Sequence, residues 1–201
     1  MYVPQHFSSP AIETLVSLLP DASFATLVTV DDQGDPFASH IPVSFDAKAG
    51  EYGTITGHLA KANPHSGFIA TRPSLVIFSG PHQYISPRDY DTKMNVPTWN
   101  YVAVHARGQA VIETERERVR AVLEGLTREN ERDRRDPWDV GMFDEKRLNA
   151  MMNAIVAFNI PVAQLQAKAK LGQNKSEADR KALADATIGT ELEAWQRSSA
   201  S

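Results

Sequence analysis

Phe24-Ala25-Thr26-Leu27-Val28-Thr29-Val30, then Asp31-Asp32-Gln33-Gly34, then the apolar-rich segment 37–45, is the stretch that decides the fold. β-Branched and apolar residues dominate the first and third pieces, as strands require. The Asp-Asp-Gln-Gly piece supplies turn chemistry, so the whole reads as a hairpin. Pro42 has no amide proton to give to a ladder, so it marks an edge, a bulge, or a place where the ladder is already broken. Further strands are expected at 52–56, 75–79, 102–106, 109–112 and 155–160, the last closed by Pro161, with Arg107-Gly108 as a bend or bulge. No regular crossover helix separates them, which argues against a doubly wound parallel sheet.

Helical signals flank these strands. Ser9-Pro10 places a capping serine before a proline at the first helical position. Ile12, Leu15, Val16 and Leu19 follow at helical spacing, and Pro20-Asp21 ends the run. Thr114-Glu115-Arg116-Glu117 has the form of a capping box, with Val119, Val122, Leu123 and Leu126 as the stripe behind it. Ser176-Glu177-Ala178-Asp179 opens a C-terminal helix by the same logic, and 198–201 is expected to fray. The segment 113–136 is dense in Arg and in Glu/Asp, a solvated helix face with i,i+4 pairs. The fold class is mainly β or α+β: a barrel with peripheral helices. The expected division is 1–175 for the barrel domain and 176–201 for a helical extension.

Composition narrows the function. The 201 residues carry a formal net charge of −4, which gives no overall attraction to nucleic acid or to an anionic membrane. Cysteine is absent, excluding disulfides, thiolate zinc sites, iron–sulfur clusters and thiol catalysis. No apolar run approaches the roughly 20 residues that span a bilayer. The first residues show neither a basic nor an apolar leader region, so a cytoplasmic location is expected. The six histidines lack zinc-ligand spacing, and no metal is expected. No nucleotide-binding glycine motif and no nucleophile elbow occurs.

Three stretches combine Pro and Gly with projecting polar groups: Gly57-His58-Leu59-Ala60-Lys61-Ala62-Asn63-Pro64, Gly80-Pro81-His82-Gln83-Tyr84-Ile85-Ser86-Pro87 and Val96-Pro97-Thr98-Trp99-Asn100-Tyr101. The first two read as loops directly after strands and the third as a loop running into one, which is where binding groups concentrate. With the N-terminal Met1-Tyr2-Val3-Pro4-Gln5-His6-Phe7 and the C-terminal Lys170-Leu171-Gly172-Gln173-Asn174-Lys175, they resemble, in order, the motifs of the PaiB family of FMN-binding negative transcriptional regulators. The chain departs from that pattern at Ser66, Asp89 and Gly172, where an aromatic, Trp and Ser are usual.

The resemblance implies an FMN-binding split β-barrel, related to pyridoxamine phosphate oxidase, with the flavin at a homodimer interface. It also implies a regulatory role. An FMN-dependent oxidoreductase and a haem-binding protein are the competing readings, and sequence leaves open whether the protein is an enzyme. Direct DNA binding is expected to be weak or absent, since no recognition helix is visible. A flavin phosphate needs cationic donors and N–H groups. The resemblance places the phosphate near the His58–Asn63 turn, where Lys61 matches the basic residue of related split barrels and gives charge, Asn63 and His58 give N–H donors, and Gly57 and Ala62 stand beside them. Ser39, His40 and Thr56 add donors from neighbouring strands. Trp99 and Asn100 are expected to arrive from the partner subunit, and Lys170, Gln173 and Asn174 to close the site.

Overall fold

β1 (Phe24–Val30) and β2 (Pro36–Asp46) pair antiparallel from Val30↔Pro36 to Phe24↔Pro42, so the hairpin forms as its turn chemistry dictates. From Val43 onward β2 leaves β1 and pairs with β3 (Thr54–Ala60). Pro42 thus sits where one strand changes neighbours, a point at which a missing amide proton costs no ladder bond. The computed structural model describes residues 1–22, 24–92 and 94–200. The remaining strands are β4 (Pro73–Ile85), β5 (Thr98–Gln109), β6 (Val111–Ile112) and β7 (Ile155–Lys170). Their order is β3-β2-β1-β4-β5-β7-β6, and a β3–β7 pairing closes the sheet on itself. Closure removes the open edges that an antiparallel sheet would otherwise expose.

β7 makes the closure. Its first half pairs with β3, from Ala60↔Ile155 to Thr54↔Pro161, and its second half with β5, from Gly108↔Val162 to Tyr101↔Lys170. Pro161 was expected to end a strand at 160. It instead stands at a second change of neighbours, and the strand runs on to Lys170. The ladder shifts register between Arg107 and Gly108, the expected bulge. A Cβ on Gly108 would lie 2.3 Å from the Pro161 carbonyl oxygen, so only glycine lets the two strands approach there.

Alternation along the strands continues through the stretches read as loops. Ile55, Gly57 and Leu59 are buried while Thr56 and His58 are half-exposed, so β3 runs to Ala60 instead of ending at Thr56. β4 likewise continues through the Gly80–Ile85 segment, with a register shift between Ser79 and His82. β5 begins at Thr98, which puts Trp99, Asn100 and Tyr101 within a strand.

The barrel interior is filled by Leu27, Ile41, Val43, Ile55, Leu59, Val76, Phe78, Val104, Phe158 and Ile160, among others. α1 (Ala11–Ala22) adds Leu15, Leu18 and Leu19. Val16 faces solvent, so the buried stripe passes through Leu18, and Pro20-Asp21 falls inside the last turn. α2 (Arg116–Glu131) lays Val122 and Leu126 on Ala157 of β7. Its expected capping box does not form. The Glu113 amide donates to the Ala157 carbonyl (2.9 Å), holding the chain extended past the intended cap. The helix starts at Arg116, and Glu115 makes no side-chain cap. The Arg120–Glu124 pair at 2.7 Å is the i,i+4 contact expected of its charged face.

α3 (Glu145–Asn153) leads into β7. α4 (Glu177–Ala186) is capped by Ser176 as expected, and α5 (Glu193–Ala200) contains Ser198 to Ala200. Ser201 lies outside the described residues. Among the described residues, no helix is long and apolar enough to cross a membrane.

Candidate functional site

The expected site residues fall into two groups, one at each end of β7. Lys61 follows β3, and its amide donates to the carbonyl of Ala154, the residue before β7 begins (2.8 Å). Lys170 is the last residue of β7. β7 is 16 residues long, about 50 Å along its contour at ~3.3 Å per residue. The two groups thus lie at opposite ends of one strand.

At the Lys61 end, the strand residues divide between two faces. Ser39 is buried on the inner face of β2, and His40 is exposed on the outer. Gly57 also faces inward. A Cβ there would meet Phe158 at 3.0 Å and Val43 at 3.2 Å, so Gly57 serves packing. His40 Nδ1 shares a hydrogen bond with the Thr26 hydroxyl (3.0 Å). The Thr56 hydroxyl donates to Asn159 Oδ1 (2.6 Å), and Asn159 in turn donates to Glu113 (2.5 Å). His58 stands on the outer face beside Ala157; its Nδ1 is buried with no partner, and burial pushes its pKa down.

Beneath the turn runs a buried polar chain. Asn63 Nδ2 donates to Ser39 Oγ (3.0 Å), and Ser39 Oγ meets His65 Nδ1 (3.0 Å). His65 Nε2 meets Thr29 Oγ1 (2.8 Å), which meets Ser74 Oγ (2.6 Å). Since Ser39 accepts from Asn63, its own proton is free for His65 Nδ1, and the ring proton then lies on Nε2 toward Thr29. Such a neutral imidazole agrees with the lowering of the His65 pKa by burial. The ring stacks on Phe68 (5.1 Å). Asn63 Oδ1 also accepts from the His65 amide (3.0 Å), so Asn63 is a structural clamp on the turn.

Lys61 opens onto a cavity of about 240 Å³, shared with Glu113, Thr114, Arg116, Val119, Met152, Asn153 and Ile155. The first amides of α2 have no side-chain cap here, and a helix N-terminus attracts anions. Of the turn's own amides, those of Lys61 and Asn63 are spent internally and that of Ala62 is free. Glu113 also borders the cavity, but its carboxylate is engaged by Asn159 and, at 3.5 Å, by Arg118. Lys61 has no carboxylate partner among the described residues. An uncompensated lysine and an uncapped helix start on one cavity suit a phosphate; the orphaned His58 Nδ1 lies on β3 just before the turn and does not line that cavity. Thr114, Arg116 and Asn153 were not anticipated. The first two lie in 114–117, where their capping signal hides a role in a cavity.

At the Lys170 end, Trp99 is 53% exposed, edge-on to Tyr84 (6.0 Å) and near His82 (6.1 Å). Asn100 faces the other way and is buried, its amide donating to Gln196 of α5 (3.0 Å). Gln173 folds back on its own turn, accepting from the Leu171 amide and donating to the Ala169 carbonyl. Lys170 donates to the Thr98 hydroxyl and to the Trp99 carbonyl. Lys170, Asn174 and Asn100 do come together, around a cavity of about 220 Å³.

Residues 1–164 match the family described as "Putative FMN-binding domain". The chain is 40% identical over 182 residues to the protease synthase and sporulation protein PAI 2 of Bacillus subtilis (strain 168), covering 89% of this chain and 85% of that one. In structure it is similar to an FAD and heme binding protein from Mycobacterium smegmatis (TM-score 0.61, 19% identity, 82% of this chain and 74% of that one). It is also similar to the flavocytochrome Anf3 from Azotobacter vinelandii (TM-score 0.58, 16% identity, 85% and 73%). At such identities these two likenesses speak for the fold alone. Family match, sequence relative and closed antiparallel sheet agree: the chain belongs to the PaiB family of FMN-binding split-barrel proteins, and FMN is its cofactor.

Proposed function

We propose that the protein works as a homodimer with FMN at the subunit interface, and that it acts as a flavin-responsive regulator. The observation that carries this reading is the separation of the two groups of site residues to opposite ends of β7. Two copies related by a twofold axis can set the Lys61 end of one against the aromatic face of the other. That face has the exposed apolar groups an interface needs: Tyr84, Met94, Val96 and Trp99 are 49%, 97%, 70% and 53% exposed. The phosphate rests in the cavity beside Lys61, with Arg116, Thr114 and the start of α2. The Asn63–Ser39–His65 chain fixes the turn. FMN supplies the redox chemistry when bound. The protein's part is to hold and orient it.

A regulator of this kind acts through a partner more readily than through DNA. α2, the most arginine-rich helix, has Arg118 and Arg120 paired with Glu113, Glu124 and Glu145. The net charge of −4 adds no attraction to a polyanion. A second reading, an FMN-dependent oxidoreductase, is favoured by an open cavity of about 250 Å³ beside His82, Trp99 and Tyr101, room for a substrate next to a flavin ring. Absorption spectra and sedimentation of the purified protein test the first reading. Flavin bands on a dimer support it; a monomer that still holds FMN tightly refutes the shared site. Steady oxidation of a nicotinamide donor would favour the enzyme.

A further inference from the structure

The Lys170 end carries more positive charge than a flavin ring requires. Lys168 and Lys170 project from the same face of β7, and Lys175 follows on the turn beyond. Lys168 is only 8% exposed, and its ammonium lies 5.3 to 6.0 Å from the ring centres of Tyr101, Tyr2 and Phe7. Lys170 donates only to the Thr98 hydroxyl and the Trp99 carbonyl. Lys175 donates to Asn95 Oδ1 (2.6 Å) and lies 5.3 Å from the Tyr90 ring centre. Among the described residues none of the three is in a salt bridge. Asp179 is one hydrogen bond removed from Lys175, behind Asn95, and already accepts from Thr92. Three ammonium groups gathered without a directly paired carboxylate repel one another and are desolvated, a costly arrangement in a chain of net negative charge. The lowered pKa of Lys170, caused first by burial and then by Lys168 and Lys175, expresses that cost.

Lys170 and Lys175 border a cavity with two kinds of wall. Phe7, Tyr90 and Val96 supply apolar walls; Thr98, Lys170, Asn174 and Lys175 supply polar heads. The Asn174 side chain has no partner among the described residues. At about 220 Å³ it lies below the ~300–1,000 Å³ of pockets that take drug-sized ligands, so it is too small to enclose a flavin nucleotide. We infer that this cavity is a second anion site, separate from the flavin phosphate, that takes a small molecule with a carboxylate or phosphate head and a flat apolar body. Lys170 and Lys175 bind the head, Asn174 gives it an amide hydrogen bond, and Tyr90 and Phe7 flank the body. Lys168 adds field without contact. Lys170 and Asn174 then serve this ligand instead of closing the flavin site. Its position beside the Trp99 strand places it next to the proposed interface, where an effector can report to the flavin.

The test titrates benzoate and inorganic phosphate, at constant ionic strength, into the FMN-loaded protein and follows amide and tryptophan signals by NMR. The wild type is expected to saturate with at least one probe. The Lys170→Met/Lys175→Met variant should weaken that probe by about tenfold or more, the loss of a charge-assisted hydrogen bond, and leave FMN affinity within about twofold. Lys61→Ala should do the reverse. Asn174→Asp, which keeps both lysines and adds a repelling carboxylate, should also abolish probe binding; it carries the test if the double variant unfolds. Probe binding that no variant changes, or no saturation in the wild type, overturns the site. A loss of FMN affinity in the double variant matching that of Lys61→Ala assigns the lysines to the flavin and overturns it too.

Discussion

The two ends of β7 solve opposite problems. At the Lys61 end the polar groups are paired inward: Asn63, Ser39, His65, Thr29 and Ser74 form a continuous buried chain, and one cation is left facing outward. At the Lys170 end the cations themselves are gathered, and the aromatic rings of Tyr2, Phe7, Tyr90 and Tyr101 take the place of carboxylates. The first arrangement spends its hydrogen bonds on rigidity, holding a loop at one geometry for a ligand of fixed shape. The second leaves charge unsatisfied, so a ligand stabilises it on arrival. A shared strand thus joins a stiff half-site to an electrostatically strained one.

The contrast breaks most visibly through stability. His65→Leu removes both ring nitrogens from a fully buried network and takes one partner each from the Ser39 and Thr29 hydroxyls, which keep only Asn63 and Ser74. The expected cost is about 2–4 kcal/mol, two buried hydrogen bonds lost plus imperfect packing against Phe68 and Phe37. Trp99→Ala, at the other end and half-exposed, should cost the folded monomer below about 0.5 kcal/mol. Urea unfolding at concentrations below dimer dissociation measures both. Equal costs would mean that the two ends are equally built, and the comparison would fail.

The sequence made the strands legible but not their ends. Pro42 and Pro161 show why. Both stand where a strand passes from one neighbour to another, which no local pattern announces: at Pro42 the strand passes from Phe24 to the strand of Gly57, and at Pro161 from Thr54, over a hundred positions away, to the strand of Gly108. Gly57 looked like ligand-contacting loop and is a packing glycine, since Phe158, which demands it, comes from β7. Ser39 and Asn63 meet beneath the Lys61 turn, but His65, which joins them, lies just past the motif and is absent from the expected site residues. Thr114 and Arg116 carried a capping signal that a β-bond from Glu113 overrode.

Ligand affinity sharpens the comparison next. Lys61→Ala should weaken FMN by about 1.5–3 kcal/mol, roughly ten- to a hundredfold, as loss of one charge-assisted hydrogen bond does. Riboflavin, which lacks the phosphate, should bind wild type and variant alike. Lys48→Ala, on the exposed turn after β2, serves as control. Fluorescence titration of apoprotein reads all three. Equal losses for FMN and riboflavin would mean that Lys61 acts through the fold and not through the phosphate.

The smallest expected effect is on pH dependence. Burial lowers the pKa of His58 and His65 at the stiff end; at His105 burial is again the main cause, with the chain's amino terminus and Arg107 adding to it. The folded protein therefore keeps these rings neutral while the unfolded chain takes up protons at the ordinary histidine value, about 6.5. With more protons on the unfolded state, stability is complete above that value and declines as pH falls below it, until the folded pKa is passed. Glu129 works in the opposite sense, because burial raises its pKa and Arg132 offsets only part of that, so it favours folding as pH falls. The histidines prevail in the window between about pH 7 and pH 5.5, where ordinary carboxylates are ionised in both states. Two variants separate the ends. His65→Leu should flatten the slope of unfolding free energy against pH, since its network cannot accept a proton without losing the Ser39 or Thr29 bond. His105→Asn should flatten it less, because a half-exposed ring is partly solvated when charged. Urea midpoints measured across the window decide it. A slope unchanged in His65→Leu would show that the buried ring takes up protons folded as it does unfolded, and a steeper slope that it already carries its proton when folded; either result overturns the neutral ring assigned to the Asn63–Ser39–His65 chain.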